Sequence, residues 1–137
     1  MGILDRFRRA PQPPASPEEI RAYFNRAAAD YEHYPSTIDP RIWHVKLILD
    51  HIGDVSGGRV ADVGSGKGRF ARIVKERFPG ASVVAVDLAE AMLAHVPRDI
   101  QRVAASMTTL PLATSSVDAA YATESLEHAV EIEKAVS

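Results

Sequence analysis

The sequence predicts an α/β protein built on a doubly wound parallel sheet, and three observations predict it. An apolar run at 59–63 leads into a turn of alternate glycines and then into an amphipathic stretch, the order strand, turn, helix. Further β-branched runs alternate with helical stretches along the rest of the chain; that alternation suits parallel strands joined by right-handed crossovers. An aspartate, Asp87, follows the second of these runs, nineteen residues after Gly68. Ligands of such sheets bind beyond the carboxyl ends of the strands.

Composition sets the outer limits. With 137 residues, 46% hydrophobic and 25% charged, the chain can hold one domain with a real core. A net charge of -2 gives no field that gathers nucleic acid, so nucleic acid is not expected as a partner. There is no cysteine, which excludes a disulfide framework and a thiolate metal site, and no metal is expected. No apolar stretch reaches the length of a membrane span and no signal-peptide core is present. A cytoplasmic protein without stable membrane insertion is expected.

The chain divides into a tail with a proline-rich linker at 1–16, a helical segment at 17–56 and a sheet-bearing core at 57–137. MGILDRFRR at the start is amphipathic with a basic end, buries little area at this length, and reads as a solvated terminus. Ser16 and Glu19 form a capping-box pair around Pro17 and predict a helix over 17–31. Ile20, Tyr23, Phe24, Ala27 and Ala28 recur at helical spacing. The aromatic residues near its end pack the helix on the domain, or Tyr31 or Tyr34 closes over a ligand; tyrosine's apolar face and polar tip suit either role.

A second helix is expected over 41–52, with Ile42, Val45, Leu47, Ile48 and Ile52 inward and Trp43 as a packing residue. His44 and His51 stand seven apart, not the four of a helical metal pair, and read as surface or rim residues. The run at 59–63 lacks polar alternation, as a strand covered on both faces does. A helix at 69–78 stops at Pro79 and Gly80. Strands are expected at 81–86, 101–104 and 117–122, a short helix at 89–95, and a last helix over 126–136.

The turn at 64–68 requires positive φ and lets a ligand approach the backbone closely. The helix behind it aims unpaired N–H groups at whatever sits above, so the site is of nucleotide type. A carboxylate at Asp87 can accept both hydroxyls of a ribose. A P-loop would need glycine at Ala61 and serine or threonine at Gly68. A dinucleotide fingerprint spaces its third glycine differently; here that glycine is expected to loosen the turn. Asp62 would point negative charge into the site, which opposes a pyrophosphate and suits a sulfonium or ammonium ligand.

DVGSGKG at 62–68, Asp87-Leu88, LPL at 110–112 followed by Val117-Asp118, ESLEH at 124–128 and FNRAAADYE at 24–32 occur in that spatial logic. From Phe24 onward the chain resembles the class I S-adenosylmethionine-dependent methyltransferases, in their small-molecule branch. The resemblance implies a Rossmann-like sheet and S-adenosylmethionine as cofactor. It implies Asp62, Gly64, Ser65, Gly66 and Gly68 against the methionine part, Asp87 on the ribose and Leu88 against the adenine. Ser106 stands where the family usually carries an acid for the adenine amino group, and accepts that bond more weakly; Met107 follows it. Tyr31 and Thr123 complete the cofactor-side candidates.

The activity implied is in-line attack by a small-molecule acceptor on the cofactor's methyl group, with catalysis largely by positioning and exclusion of water. Where the acceptor must lose a proton, Glu124 and His128 are the candidates, because an i, i+4 pair on a helix faces one pocket. The same residues cap helices in many proteins. The family's sheet continues beyond four strands, whereas this sequence stops at Ser137. The expectation is therefore a truncated core: a fragment, or a short form whose sheet edge a partner chain or a second copy covers. A cofactor-binding or assembly module without catalysis is the alternative, and an NAD-dependent enzyme a more distant one.

Overall fold

The computed structural model describes residues 16–129 and 131–137. The tail and linker expected at 1–16 therefore lie, Ser16 apart, outside the described residues, as does Val130 within the last expected helix.

Four parallel strands form one sheet: β1 (Arg59–Val63), β2 (Ser82–Asp87), β3 (Gln101–Ala104) and β4 (Ala119–Tyr121). Their order is β3-β2-β1-β4. The chain steps outward from β1 to β3, then returns to the far side of β1 for β4. That reversal opens a crevice at the carboxyl ends of β1 and β4. The doubly wound, Rossmann-like sheet expected from the sequence is the one observed. Register sets Asp62 beside Ala85 on one side and Tyr121 on the other, and Asp87 beside Ala104.

β1 and β2 are buried on both faces, which explains their lack of polar alternation, Asp62 being the one acid inside β1. Helix α3 (Arg69–Arg77) covers the sheet with Phe70, Ala71, Ile73 and Val74, and α2 (Trp43–Ile52) adds Val45 and Leu49. Fully buried valines such as Val60 and Val86 each contribute about 2 kcal/mol. Asp118 ties the entry of β4 to β1 by accepting the Arg59 N–H at 2.7 Å.

Helix α1 (Pro17–Ala27) opens with the expected capping box: Ser16 Oγ accepts the Glu19 N–H and Glu19 accepts the Ser16 N–H. It buries no residue completely and is held instead against α4 (Glu90–Leu93). Arg21 pairs with Glu90, Asn25 Oδ1 accepts the Ala91 N–H at 3.0 Å, and Phe24 and Ala28 pack against Met92. This clasp sets α1 over the crevice.

Several boundaries differ from expectation, each for a local reason. Helix α1 ends at Ala27, because the Asp30 carboxylate accepts the Glu32 and His33 N–H groups and offers the backbone a turn in place of the helix. Helix α2 starts at Trp43, after Asp39 has claimed the Arg41 N–H. Its inward face is Val45 and Leu49 with Ile48 and Ile52 partly covered, while Ile42 and Leu47 are exposed. Trp43 is not a packing residue: it is 74% exposed. His51 is exposed as expected, and His44 is half-buried against the Phe70 ring. The helix expected over 126–136 is a 3-10 turn (Leu126–His128) and a separate α5 (Ile132–Ala135), parted by extended backbone at Ala129. Among the described residues no helix is long and apolar enough to cross a membrane.

Candidate functional site

The glycine turn is sewn to the neighbouring strand. Val86 O accepts both the Gly64 N–H at 2.7 Å and the Ser65 N–H at 2.9 Å, and Ser65 O accepts the Gly68 N–H at 2.9 Å. Gly68 therefore closes the turn and caps α3 against Val96, where the sequence suggested a loosening. Gly64 and Gly66 both adopt positive φ, at 71° and 55°, for opposite reasons. A Cβ on Gly64 would stand 2.6 Å from Ser125 Oγ, so the chain after β4 presses on the turn there. A Cβ on Gly66 would meet nothing within 4 Å: that side of the turn faces open space.

The open space is a cavity of about 740 Å³, in the size range of small-molecule sites. Gly64, Ser65 and Gly66 form its floor, with Asp87 and Leu88 beside them at the end of β2. Ser106 and Met107 line the next loop, and Thr123, Glu124 and His128 line the segment after β4. Ile20 and Phe24 of α1, with Tyr34, face it from the other side. Three sequence candidates are not on the lining: Asp62, Gly68 and Tyr31.

Asp87 Oδ2 accepts the Gly66 N–H at 2.8 Å and Oδ1 accepts the Ala89 N–H at 2.9 Å. Burial pushes its carboxyl up from the usual range, and these backbone bonds oppose the rise. Ser106 Oγ accepts the Thr108 N–H at 3.2 Å and shares a 2.8 Å hydroxyl contact with Thr108 Oγ1, so its own loop already engages it. Glu124 sits at φ 51°, outside the helix assumed for it, and pairs with Arg69. His128 ends the 3-10 turn with its ring edge-on to Phe24 at 5.0 Å.

Asp62 does not aim its charge into the cavity. It lies beneath the turn, 1% exposed, with Oδ2 accepting the Tyr121 hydroxyl at 3.1 Å and the Ala71 N–H in the first turn of α3 also directed at its carboxylate. A residue on the central strand points between sheet and helix, and its neighbour across the register is Tyr121. Burial, with the like charge of Asp87 adding, pushes the Asp62 carboxyl up to about 7, against the Tyr121 bond. Burial and the Asp62 charge in turn hold the Tyr121 phenol well above its usual range.

A raised carboxyl stabilises the fold in its protonated form. The Asp62 contribution is complete below about pH 4, where unfolded aspartate is also protonated, and is lost as pH rises to about 7. Asp39 and Glu90, each held to about 2 by Arg41 and Arg21, titrate below that window. Urea unfolding is expected to show stability falling across the window by a few kcal/mol. Asp62→Asn, which keeps an acceptor for Tyr121 without the charge, is expected to reduce that slope to the part that the raised Asp87 carboxyl contributes; an unchanged slope would assign it to other groups.

The family model described as a methyltransferase domain matches residues 61–137, more than half of the chain. This chain belongs to that methyltransferase family. A demethylmenaquinone methyltransferase from Renibacterium salmoninarum is 32% identical over 127 residues, covering 88% of this chain and 52% of the relative. A malonyl-[acyl-carrier protein] O-methyltransferase from Dechloromonas aromatica is 37% identical over 103 residues, covering 75% of this chain and 38% of the relative. This methyltransferase domain thus spans about half, or less, of the length of these curated relatives. Among solved structures, phosphoethanolamine N-methyltransferase 2 from Haemonchus contortus, in complex with phosphomonomethylethanolamine and S-adenosylhomocysteine, matches with a TM-score of 0.65 at 24% identity. The match covers 83% of this chain and 30% of that one, and shows the fold alone. The class I resemblance read from the motifs is correct.

Sequence reading of the methyltransferase domain missed four contributors. Tyr121 and Ser125 act through register and close packing, which no motif announces. Arg69 begins α3 and reaches Glu124 across 55 positions of sequence. Lys67, dismissed with the P-loop reading, is buried at 3% exposure, and its ammonium lies 3.9 Å from the centre of the Tyr31 ring. Tyr31 itself is 59% exposed and also meets the His95 ring edge-on, so it braces the wall from outside while Tyr34 faces the cavity.

Proposed function

We propose that this domain binds S-adenosylmethionine and supports transfer of its methyl group to a small organic acceptor. The observation that carries the reading is Asp87: a half-buried carboxylate at the carboxyl end of β2, bonded to the Gly66 N–H beside open space. Each of its oxygens accepts one backbone N–H and retains acceptor capacity for one hydroxyl of a ribose diol. The side-chain-free face of Gly66 fits the same ligand, since any Cβ there would take volume from it. When bound, the cofactor supplies a methyl group already activated by its sulfonium sulfur.

The residues divide the work by position. Asp87 would hold the ribose and Leu88 the adenine, with Met107 against the turn and Ser106 giving a weakened polar contact. Gly64, Ser65 and Gly66 would border the methionine part; Thr123 would line the approach between donor and acceptor. Phe24 and Tyr34 would exclude water from the acceptor side. Where the acceptor must lose a proton, Glu124, which pairs with Arg69, and His128 are the candidate bases. Asp62 and Gly68 act from beneath the turn by positioning it. Residues 57–137 then form the donor-binding core and 17–56 its cap, in a cytoplasmic setting. The relatives' names point to acceptors of different kinds, so the proposal stops at a small organic acceptor.

Calorimetric titration of the chain with S-adenosylmethionine, S-adenosylhomocysteine and NAD is the test. The first two are expected to bind and NAD not. Binding of NAD alone, or of none of the three, would sink the reading.

A further inference from the structure

The cavity has two unlike halves. Asp87 and Lys67 belong to the end of β2 and to the glycine turn, where the donor is proposed to lie. The far wall is apolar and aromatic: Ile20 and Phe24 of α1, Tyr34 and Pro35 after it, and Ala129 in the segment beyond β4. Phe24 is its hub. Its ring stands edge-on to Tyr34 at 6.0 Å, to His128 at 5.0 Å and to Tyr23 at 5.1 Å, and packs against the cluster of Ala28, Ala89 and Met92. Perpendicular contacts of this kind fix the rings before any ligand arrives. The Tyr34 hydroxyl lies 3.3 Å from that of Tyr23, a bond that holds its phenol above the usual range and so uncharged. Charged side chains bordering this wall are already matched: Arg69 pairs with Glu124, Glu131 with Lys134 at 3.5 Å, and His33 with Asp30 at 2.8 Å. A charged group brought here would lose water and gain no unmatched partner.

We infer that this wall selects an uncharged, flat ring compound as the methyl acceptor, laid against Phe24 and Tyr34. The inference rests on the proposed donor, because the wall faces the glycine turn across the cavity. A saturated acceptor would gain the apolar contact without the ring–ring contact. A carboxylate or phosphate would be turned away by desolvation, and an ammonium, although aromatic faces attract cations, would confront the donor's sulfonium. The wall thus narrows the acceptor to one chemical class.

The test is calorimetric titration of the full chain saturated with S-adenosylhomocysteine, whose own binding is measured first. Four probes of similar size are compared: 2-naphthol, 2-naphthoate, 2-naphthylmethylammonium and the saturated 2-decalol. 2-Naphthol is expected to bind tightest, with the charged probes about tenfold or more weaker and 2-decalol about three- to tenfold weaker. Phe24→Leu, which keeps an apolar side chain and removes the ring, is expected to weaken 2-naphthol about three- to tenfold and to leave S-adenosylhomocysteine within about twofold. A charged probe that matches or exceeds 2-naphthol would overturn the inference. Equal binding of 2-decalol would overturn it too, as would a chain that binds S-adenosylhomocysteine but not 2-naphthol. If Phe24→Leu does not fold, the order of the four probes on the wild-type chain still decides. A chain that binds no S-adenosylhomocysteine overturns the donor reading and this inference together. A donor-site-loaded chain with the wrong probe order overturns this inference alone.

Discussion

Gly64→Ala is expected to destabilise the fold by roughly 3 kcal/mol and to abolish donor binding, whereas Gly66→Ala should cost only about 1 kcal/mol of stability yet block the donor almost as completely. Both alanines would suffer the left-handed backbone. The difference lies in what the new methyl group meets. At Gly64 it overlaps Ser125, whose hydroxyl donates to Val63 O at 3.2 Å, so relief requires β1 and the chain after β4 to part. At Gly66 it meets nothing in the protein and occupies the cavity instead. Urea unfolding and calorimetry with S-adenosylhomocysteine separate the two effects. If Gly66→Ala bound as wild type does, the donor would not lie against the turn.

Asp87→Asn should weaken S-adenosylhomocysteine by about a hundredfold, near 3 kcal/mol, with a smaller loss of fold stability, about 1 kcal/mol, from the one backbone N–H left without an acceptor. Asp87 accepts two backbone N–H bonds and still faces the cavity. An asparagine oxygen can replace one of those bonds, but its amide nitrogen then confronts the other N–H and presents a donor to the ribose. Because burial already disfavours the charge at this position, removing it costs the fold little. A variant that bound within a few-fold of wild type would remove Asp87 from the ribose and with it the observation on which the donor rests.

The parts of the site that are legible in the sequence are those fixed by chain neighbours. Strand, glycine turn and helix follow one another without a gap, and Asp87 is placed by ending the next strand, so β1, α3 and β2 read almost to the residue. What escapes is decided by contacts between distant segments. Tyr31 and Tyr34 are three apart, and which faces the cavity depends on the turn that Asp30 imposes. Glu124 and His128 have helical spacing, yet the close passage of Ser125 over Gly64 accompanies a left-handed Glu124 in place of a helix start. Trp43 shows that an apolar residue on an amphipathic helix is not thereby inside: its neighbours Val45 and Leu49 take the core face. Asp62 was legible as an acid of the motif, but its direction was set by the partner strand that brings Tyr121 alongside.

The β3-β2-β1-β4 order also sets unequal chain-entropy costs for the two pairings of β1. β1 gains its first neighbour, β2, after about twenty residues of chain, through a short and local crossover. Its second neighbour arrives 59 residues on, at the separation of the Arg59–Asp118 and Asp62–Tyr121 bonds. Closing the longer loop costs roughly 1 kcal/mol more in chain entropy, and β4 offers only three residues of pairing in return. Loop entropy thus favours the β1-α3-β2 unit, which already contains the glycine turn, as the early nucleus, and φ-values near zero there would contradict it. On the same argument the Ser125 contact that presses on that turn is expected late, so the cavity floor should take its final shape only when β4 docks.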